Sequence, residues 1–241
     1  MTPGDLAELI RERQPCVVLT GAGVSTESGI PDFRSAGGIW ASYDPMEVAS
    51  IAGFRRDPVR VWEFYARRLA VLEEAEPNDA HRALARLEEL GLVEAIVTQN
   101  VDGLHQRAGS ADVLEVHGSV RSAICLRCGA SAGLDRVREL LPLPRCECGE
   151  VLKPGVVMFG ELLPEDAIER ATALARRARL LLVVGSSLEV HPVAGLPLET
   201  LAAGGSLAIV NRGPTALDGR AQLLLDGSAG ELLRETVQAL D

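Results

Sequence analysis

The chain has 241 residues, 47% of them hydrophobic and 24% charged, with a formal net charge of −10. That length suits one main domain plus a small insert, and that composition buries a sizeable core and argues against disorder. So acidic a chain is a poor partner for phosphate backbones, which sets nucleic acid aside, and no apolar run reaches the ~18 residues of a membrane span.

In chain order, residues 1–14 come first. They are mixed and charged and do not read as a secretory signal, so the cytoplasm is expected. Short apolar runs follow at 16–20, 93–97, 113–116, 180–184, 207–210 and 222–225, each suited to a strand covered on both faces. Helical patterns lie between them. One spans 58–71, with Asp57 as its cap and Pro58 in its first turn. A second spans 79–90, opened by Asn78 and stopped at Gly91. Two more span 165–178, after Pro164, and 231–240. Strands alternating with helices predict an α/β fold, a Rossmann-like doubly wound parallel sheet. Residues 21–58, rich in Gly, Ser, Pro and Asp, read as a functional loop with short helices. The segment 119–152 breaks the rhythm and is expected to form a small inserted module, leaving 1–118 and 153–241 as the main domain.

The first strand ends in Thr20-Gly21-Ala22-Gly23-Val24-Ser25. Two glycines there let a backbone approach a pyrophosphate, although the same residues also serve a plain strand-to-helix turn. The hydride-transferring version of this turn has a third glycine, where Thr26 stands. It also has an acidic residue after the second strand, whereas Asp44 lies in a loop. A dinucleotide still fits; a dehydrogenase fits poorly. Asp32, Phe33 and Arg34 add an acceptor, a ring and a cation within reach of one ligand, or are simply exposed.

The five cysteines include Cys125-x-x-Cys128 and, after 17 intervening residues, Cys146-x-Cys148. Two close pairs across a loop suit a structural Zn2+, and four thiolates leave no open position for catalysis. Disulfides are the alternative, but they are unusual in a cytosolic protein. Cys16 opens a buried strand as a small apolar residue.

The chain resembles the sirtuins, NAD-dependent protein-lysine deacylases. The resemblance is carried by residues 21–34 (GAGVSTESGIPDFR), 98–105 (TQNVDGLH), 115–118 (EVHG), the cysteine pairs, 154–161 (PGVVMFGE), 185–187 (GSS) and 210–211 (VN), in the family's order. It implies a Rossmann-like large domain, a small zinc domain and a cleft between them. It also implies NAD as co-substrate, one structural zinc per chain, and acyl-lysine proteins or peptides as partners. The implied NAD contacts near the first strand are Gly21, Ala22, Gly23 and Ser25, then Asp32, Phe33, Arg34 and Trp40. Gln99, Asn100, Val101 and Asp102 follow, with Asn100 ordering the ribose and Asp102 facing the nicotinamide carboxamide. Gly185, Ser186, Ser187, Asn211, Arg212, Gly213 and Ala229 complete the phosphate and adenosine side. His117 is the implied base, activating a ribose hydroxyl once the acyl oxygen has attacked the ribose carbon bearing nicotinamide. Nicotinamide, free lysine and O-acyl-ADP-ribose are the implied products. Val157 and Phe159 lie in the segment 156–159, which with the loop 189–193 is implied to pair with a peptide as strands. His191 flanks that channel, while His81 and His105 read as structural. The family usually spaces its second cysteine pair more widely.

Tyr65 and Arg68, three apart on the predicted helix, share one face and together suit a carboxylate. Tyr occurs only twice in the chain, so a chance Tyr-x-x-Arg at a given position is roughly a one-in-a-thousand coincidence. Sirtuins that remove succinyl, malonyl or glutaryl groups carry such a pair. The resemblance therefore implies desuccinylation, with deacetylation as a second activity. Met158 stands where those enzymes usually carry Trp and others often Phe. An ADP-ribosyltransferase on the same cofactor, and a non-catalytic NAD-sensing scaffold, are the rival readings.

Overall fold

The computed structural model describes residues 1–240. The elements begin with α1 (Pro3–Glu12), β1 (Cys16–Thr20), α2 (Pro45–Val48), α3 (Ile51–Arg56), α4 (Pro58–Glu74) and α5 (Asp79–Glu89). The middle of the chain holds β2 (Ala95–Thr98), α6 (Leu104–Arg107), β3 (Val113–Glu115), β4 (Gly118–Cys125), β5 (Ser131–Gly133), α7 (Leu134–Glu139) and β6 (Leu152–Val156). The last third comprises α8 (Glu165–Arg177), β7 (Leu180–Val184), α9 (Leu196–Ala202), β8 (Ser206–Asn211), β9 (Leu223–Asp226) and α10 (Ala229–Gln238). They fall into two compact units. The first is Met1–Ile30, Glu76–Val116 and Pro164–Asp241; the second is Pro31–Ala75 and His117–Leu163.

The first unit is built on a six-stranded parallel sheet of order β3-β2-β1-β7-β8-β9. The chain steps outward from β1 to β3, then returns to the other side of β1 with β7. Strand order therefore reverses between β1 and β7, the place where doubly wound sheets leave a crevice at their carboxyl ends. Every residue of β1, β2 and β7 is buried. Both faces are covered, which is why these strands read as unbroken apolar runs. One core joins Leu6 and Ile10 of α1, Leu84 and Leu87 of α5 and Leu233 of α10 to Cys16, Val18, Ile96, Leu182 and Val210 of the sheet. Burial alone pushes the Cys16 thiol up to about 12, so it stays a neutral apolar filler.

Helix starts follow local chemistry. Thr2 caps α1 in a reciprocal box with Asp5. Asp57 caps α4, accepting from the Arg60 N–H, and Pro58 occupies its first turn. Asn78 caps α5, and Gly91 beyond it takes a positive φ of 69°. Asp44 caps the short α2 by accepting from Met46 N–H, a local role that accounts for an acidic residue off the end of any strand.

The second unit holds a three-stranded antiparallel sheet of order β5-β4-β6. Segment 121–152, which shows little regular pattern in sequence, thus contains strands and the helix α7. β4 is half-exposed and β5 has three residues, so their apolar pattern is faint, and Lys153, Pro154 and Gly155 interrupt that of the buried β6. The unit is also larger than the expected 119–152. Residues 31–75 belong with it because α4 turns Val61, Trp62 and Tyr65 inward, and the Trp62 indole donates to Leu152 O of β6 at 2.7 Å in a buried bond. Periodicity shows which face of a helix is buried but not what covers it. Helices α1 and α9 also go unread in sequence. Among the described residues, no helix is long and apolar enough to cross a membrane.

The tightest backbone approach lies at the strand reversal. Gly23 N–H donates to Gly185 O at 2.9 Å, and Gly185 has a φ of 60°. A Cβ on Gly185 would sit 2.2 Å from Val24 N and 2.6 Å from Gly23 C, and neither backbone atom can yield. Gly185→Ala is expected to destabilise the protein by about 2 kcal/mol or more, read as a lowered midpoint in chemical denaturation.

Candidate active site

The register of the sheet puts Thr20, Thr98 and Val184 side by side, with Val210 next to Val184. The residues just beyond them share one edge. Gly21 N–H donates to Val184 O, Gln99 N–H to Thr20 O and Gly185 N–H to Val210 O. Gln99 Nε2 also donates to Ser186 Oγ at 3.0 Å, linking the ends of β2 and β7. Asn211 ends β8 and holds its own turn, its amide donating to Arg212 O and Gly213 O. Ala22, Gly23 and Ser25 lie in a 3-10 turn (Ala22–Ser28) rather than the α-helix of a dehydrogenase turn. Ala229 opens α10, directly after the capping Ser228.

Ser25 is the hub of this edge. It is 1% exposed. Its hydroxyl donates to Asp102 Oδ2 at 2.8 Å and accepts from Asn100 Nδ2 at 3.1 Å. His81 Nε2 lies 3.4 Å away, aimed at the remaining lone pair. On its other side, His81 Nδ1 lies 3.0 Å from Asn78 Oδ1 and 3.3 Å from the Asn78 N–H, so the ring is held at both nitrogens. Asn78 in turn donates to Val24 O and Ser28 Oγ, tying α5 to the glycine turn. The expectation that His81 and His105 are structural is sharpened here. Both are buried, but His81 reaches the Ser25–Asp102–Asn100 group directly. Sequence offered no signal for that beyond the cap at Asn78.

Behind His81 lies His105, ring centroids 4.9 Å apart. Thr20 Oγ1 donates to Thr98 Oγ1 at 2.8 Å, so it accepts from His105 Nε2 at 3.0 Å. Thr98 Oγ1 also takes the Asn100 N–H at 3.1 Å. The backbone of Asn100 and its side chain are thus fixed from opposite directions. Burial pulls His81 down to about 4 and His105 down to about 3, with Asp102 opposing the shift at His81.

In the second unit, Asp32 Oδ1 accepts from the Arg34 and Ser35 N–H groups, so that oxygen serves its own loop. The loop curls back through Ile39 N–H to Asp32 O and Trp40 N–H to Phe33 O, setting the Phe33 and Trp40 rings 5.0 Å apart. Trp40 stacks on Phe64, and Phe64 meets Tyr65 edge-on at 5.2 Å. The Arg68 guanidinium lies 5.1 Å from the Phe33 ring and 5.7 Å from that of Phe64. Burial pushes the Tyr65 phenol well up; the charge of Arg68 opposes this and that of Glu161 adds to it. Tyr65 therefore remains a hydrogen-bond donor at any physiological pH.

His117 sits half-buried in the turn between β3 and β4, and its carbonyl accepts from Val157 N–H at 2.8 Å. Phe159 is exposed and bridges to Ser50. Cys125, Cys128, Cys146 and Cys148 converge, their sulfurs all within 4.8 Å of one another and none in a disulfide. Two sulfur pairs stand at 3.5 and 3.6 Å. A tetrahedral zinc with bonds of about 2.3 Å separates its sulfurs by about 3.8 Å, so the cluster fits that ion. The short Cys146-x-Cys148 spacing does not prevent the convergence.

Residues 21–192 match the model of the Sir2 family. The chain is 45% identical to NAD-dependent protein deacylase 1 of Archaeoglobus fulgidus, over 97% of this chain and 96% of that protein. A mutant Sir2 homologue solved with ADP-ribose superposes with a TM-score of 0.95 at 44% identity, covering 98% of this chain and 95% of that one. A mutant Sir2 solved with p53 peptide and NAD gives a TM-score of 0.91 at 41% identity, covering 99% and 98%.

Two predictions rest on this geometry. His81 and His105 stay neutral in the fold, whereas in the unfolded chain each titrates near 6.5. Between about pH 6.5 and 4 the unfolded state therefore binds more protons. Stability should be flat above that window and fall by up to about 1.4 kcal/mol per pH unit for each histidine within it, read as Tm against pH. Metal analysis should return one zinc per chain, and Cys146→Ser should lose the metal together with the protease resistance of the second unit.

Proposed function

The chain belongs to the Sir2 family, and on that ground we propose that it is an NAD-dependent protein deacylase preferring short dicarboxylic acyl groups on lysine. The deacylase reading is supported by relatives of that activity over nearly the whole chain. The acyl preference is carried by one observation, the Tyr65–Arg68 pair on α4. Tyr65 is buried and held protonated, and Arg68 packs against Phe33 and Phe64. A guanidinium set against ring faces loses little freedom when it accepts a carboxylate, and a phenol beside it supplies a second donor. An acetyl group has nothing to offer either of them.

The NAD contacts are assigned on the chemistry of the residues. Backbone N–H groups and the Ser186 and Ser187 hydroxyls beyond β7 suit phosphates, and the turn after β8 at Asn211, Arg212 and Gly213 suits the adenosine ribose. Asn100 and Asp102, held by Ser25, suit the nicotinamide ribose and carboxamide. Bound NAD supplies an electrophilic ribose carbon and carries the acyl group away as O-acyl-ADP-ribose. His117 takes the proton of a ribose hydroxyl as general base. Val157 and Phe159 support the acyl-lysine peptide, and the net charge of −10 favours targets with basic flanks. Nucleic acid and membrane are not expected partners. Four reduced cysteines fit a reducing compartment, in keeping with the cytoplasm.

The test is a turnover comparison of acetyl-, succinyl- and glutaryl-lysine peptides with NAD, following nicotinamide release. Arg68→Met should lower desuccinylation at least about tenfold more than deacetylation, and equal losses would remove the acyl preference. His117→Ala should abolish turnover of all three. A target that gains ADP-ribose instead of losing its acyl group would replace the deacylase reading with a transferase.

A further inference from the structure

The chain contains 23 arginines and a single lysine, Lys153. Most of the arginine ion pairs are exposed on both sides, where pairs contribute little. The lysine is the exception. It is 5% exposed, and its ammonium is shared among three acceptors: Pro154 O at 3.0 Å, Val156 O at 2.6 Å and Glu161 Oε2 at 2.9 Å. An ammonium has three donors, and all three are used. The same Glu161 oxygen accepts the Met158 N–H at 2.8 Å.

These bonds converge on one short stretch. Lys153 holds the chain on the near side of Val157, and Glu161 holds it on the far side. Between them Val157 N–H donates to His117 O, Phe159 N–H donates to Ala49 O, and Phe159 O accepts from Ile51 N–H. The stretch turns at Gly160, whose φ is 89°. Buried charge is a poor way to stabilise a fold. Well-packed apolar residues usually serve as well or better, whereas removing one partner leaves an orphan charge. What the pair does supply is direction, since a compact cation and a carboxylate oxygen fix three main-chain groups at defined points. A planar guanidinium cannot bring three donors to one point, which accounts for a lysine here in a chain that otherwise uses arginine.

We infer that Lys153 and Glu161 are positioning residues for the acyl-peptide substrate: together they fix the segment 156–159 on which the peptide is proposed to pair. The inference rests on the deacylase reading. An extended peptide gains its affinity from main-chain hydrogen bonds; with the Val157, Met158 and Phe159 N–H groups engaged within the protein, the group the segment offers it is Val157 O, which must be held in place before the peptide arrives. The pair touches neither the proposed NAD contacts nor His117 side-chain chemistry. Its loss should therefore separate peptide binding from NAD binding.

Steady-state kinetics of the full chain test this, varying a succinyl-lysine peptide at saturating NAD and then the reverse. Lys153→Met should raise the peptide KM about tenfold or more, with the NAD KM within about twofold. The double variant Lys153→Met/Glu161→Gln should show a similar peptide KM, because the two act as a unit, yet a Tm nearer wild type, because no charge is left unpaired. It carries the test should the single variant not fold. A peptide KM within about twofold of wild type in the folded double variant, or peptide and NAD KM rising in parallel, would overturn the inference. Wild-type protein inert toward every acyl-lysine peptide would instead remove the deacylase reading, and this inference with it.

Discussion

No side chain separates the turn after β1 from the turn after β7. Gly21 and Gly23 lie against Gly185 and Ser186 so closely that a Cβ on any of the three glycines would meet neighbouring atoms at 2.9 Å or less. That contact is a consequence of pairing β1 with β7 in parallel at the point where strand order reverses. It sets the two turns side by side on one edge of the sheet, joined by the Gly23 N–H to Gly185 O bond. It also sets the origin of the Ser25 cluster, since Ser25 follows Gly23 by two residues. The polar groups of β2 and α5 are then arranged around a point fixed by backbone alone.

The parts of this architecture that depend on local chemistry were legible in sequence. The core strands β1, β2 and β7 announce themselves because each is buried on both faces, and the caps at Asp57 and Asn78 because a carboxylate or amide before a helix has one common use. Cys125, Cys128, Cys146 and Cys148 were legible for the same reason, since close thiol pairs have few chemistries open to them. The membership of residues 31–75 was not. It depends on Trp62 reaching Leu152, ninety residues away in sequence, and no local pattern encodes a partner at that distance. The strands of the small sheet were missed because exposed, mixed residues in β4 and β5 give no alternation to read.

The site shows the same division. Motif residues such as Asn100, Asp102 and His117 could be named from the sequence, and the register of the sheet brings the first two together with Ser25. The supporting histidines could not be ranked. His81 and His105 are both buried, and only the placement of Ser25 Oγ separates a residue that reaches the polar cluster from one that stands a layer behind it. Burial keeps both rings neutral, so what His81 gives the cluster is a fixed hydrogen-bonding position rather than charge.

The use of lysine has a chemical corollary. Reactive acyl thioesters and acyl phosphates modify exposed amines without any enzyme, and a protein working among acylated targets is bathed in the same reagents. With its one lysine buried and hydrogen-bonded on all three N–H groups, this chain shows them no free side-chain amine to attack. Arginine carries the surface positive charge in its place, as a guanidinium that stays protonated and delocalised and so offers no free nitrogen lone pair to an acyl donor. The fold thus sits outside the chemistry it is proposed to undo.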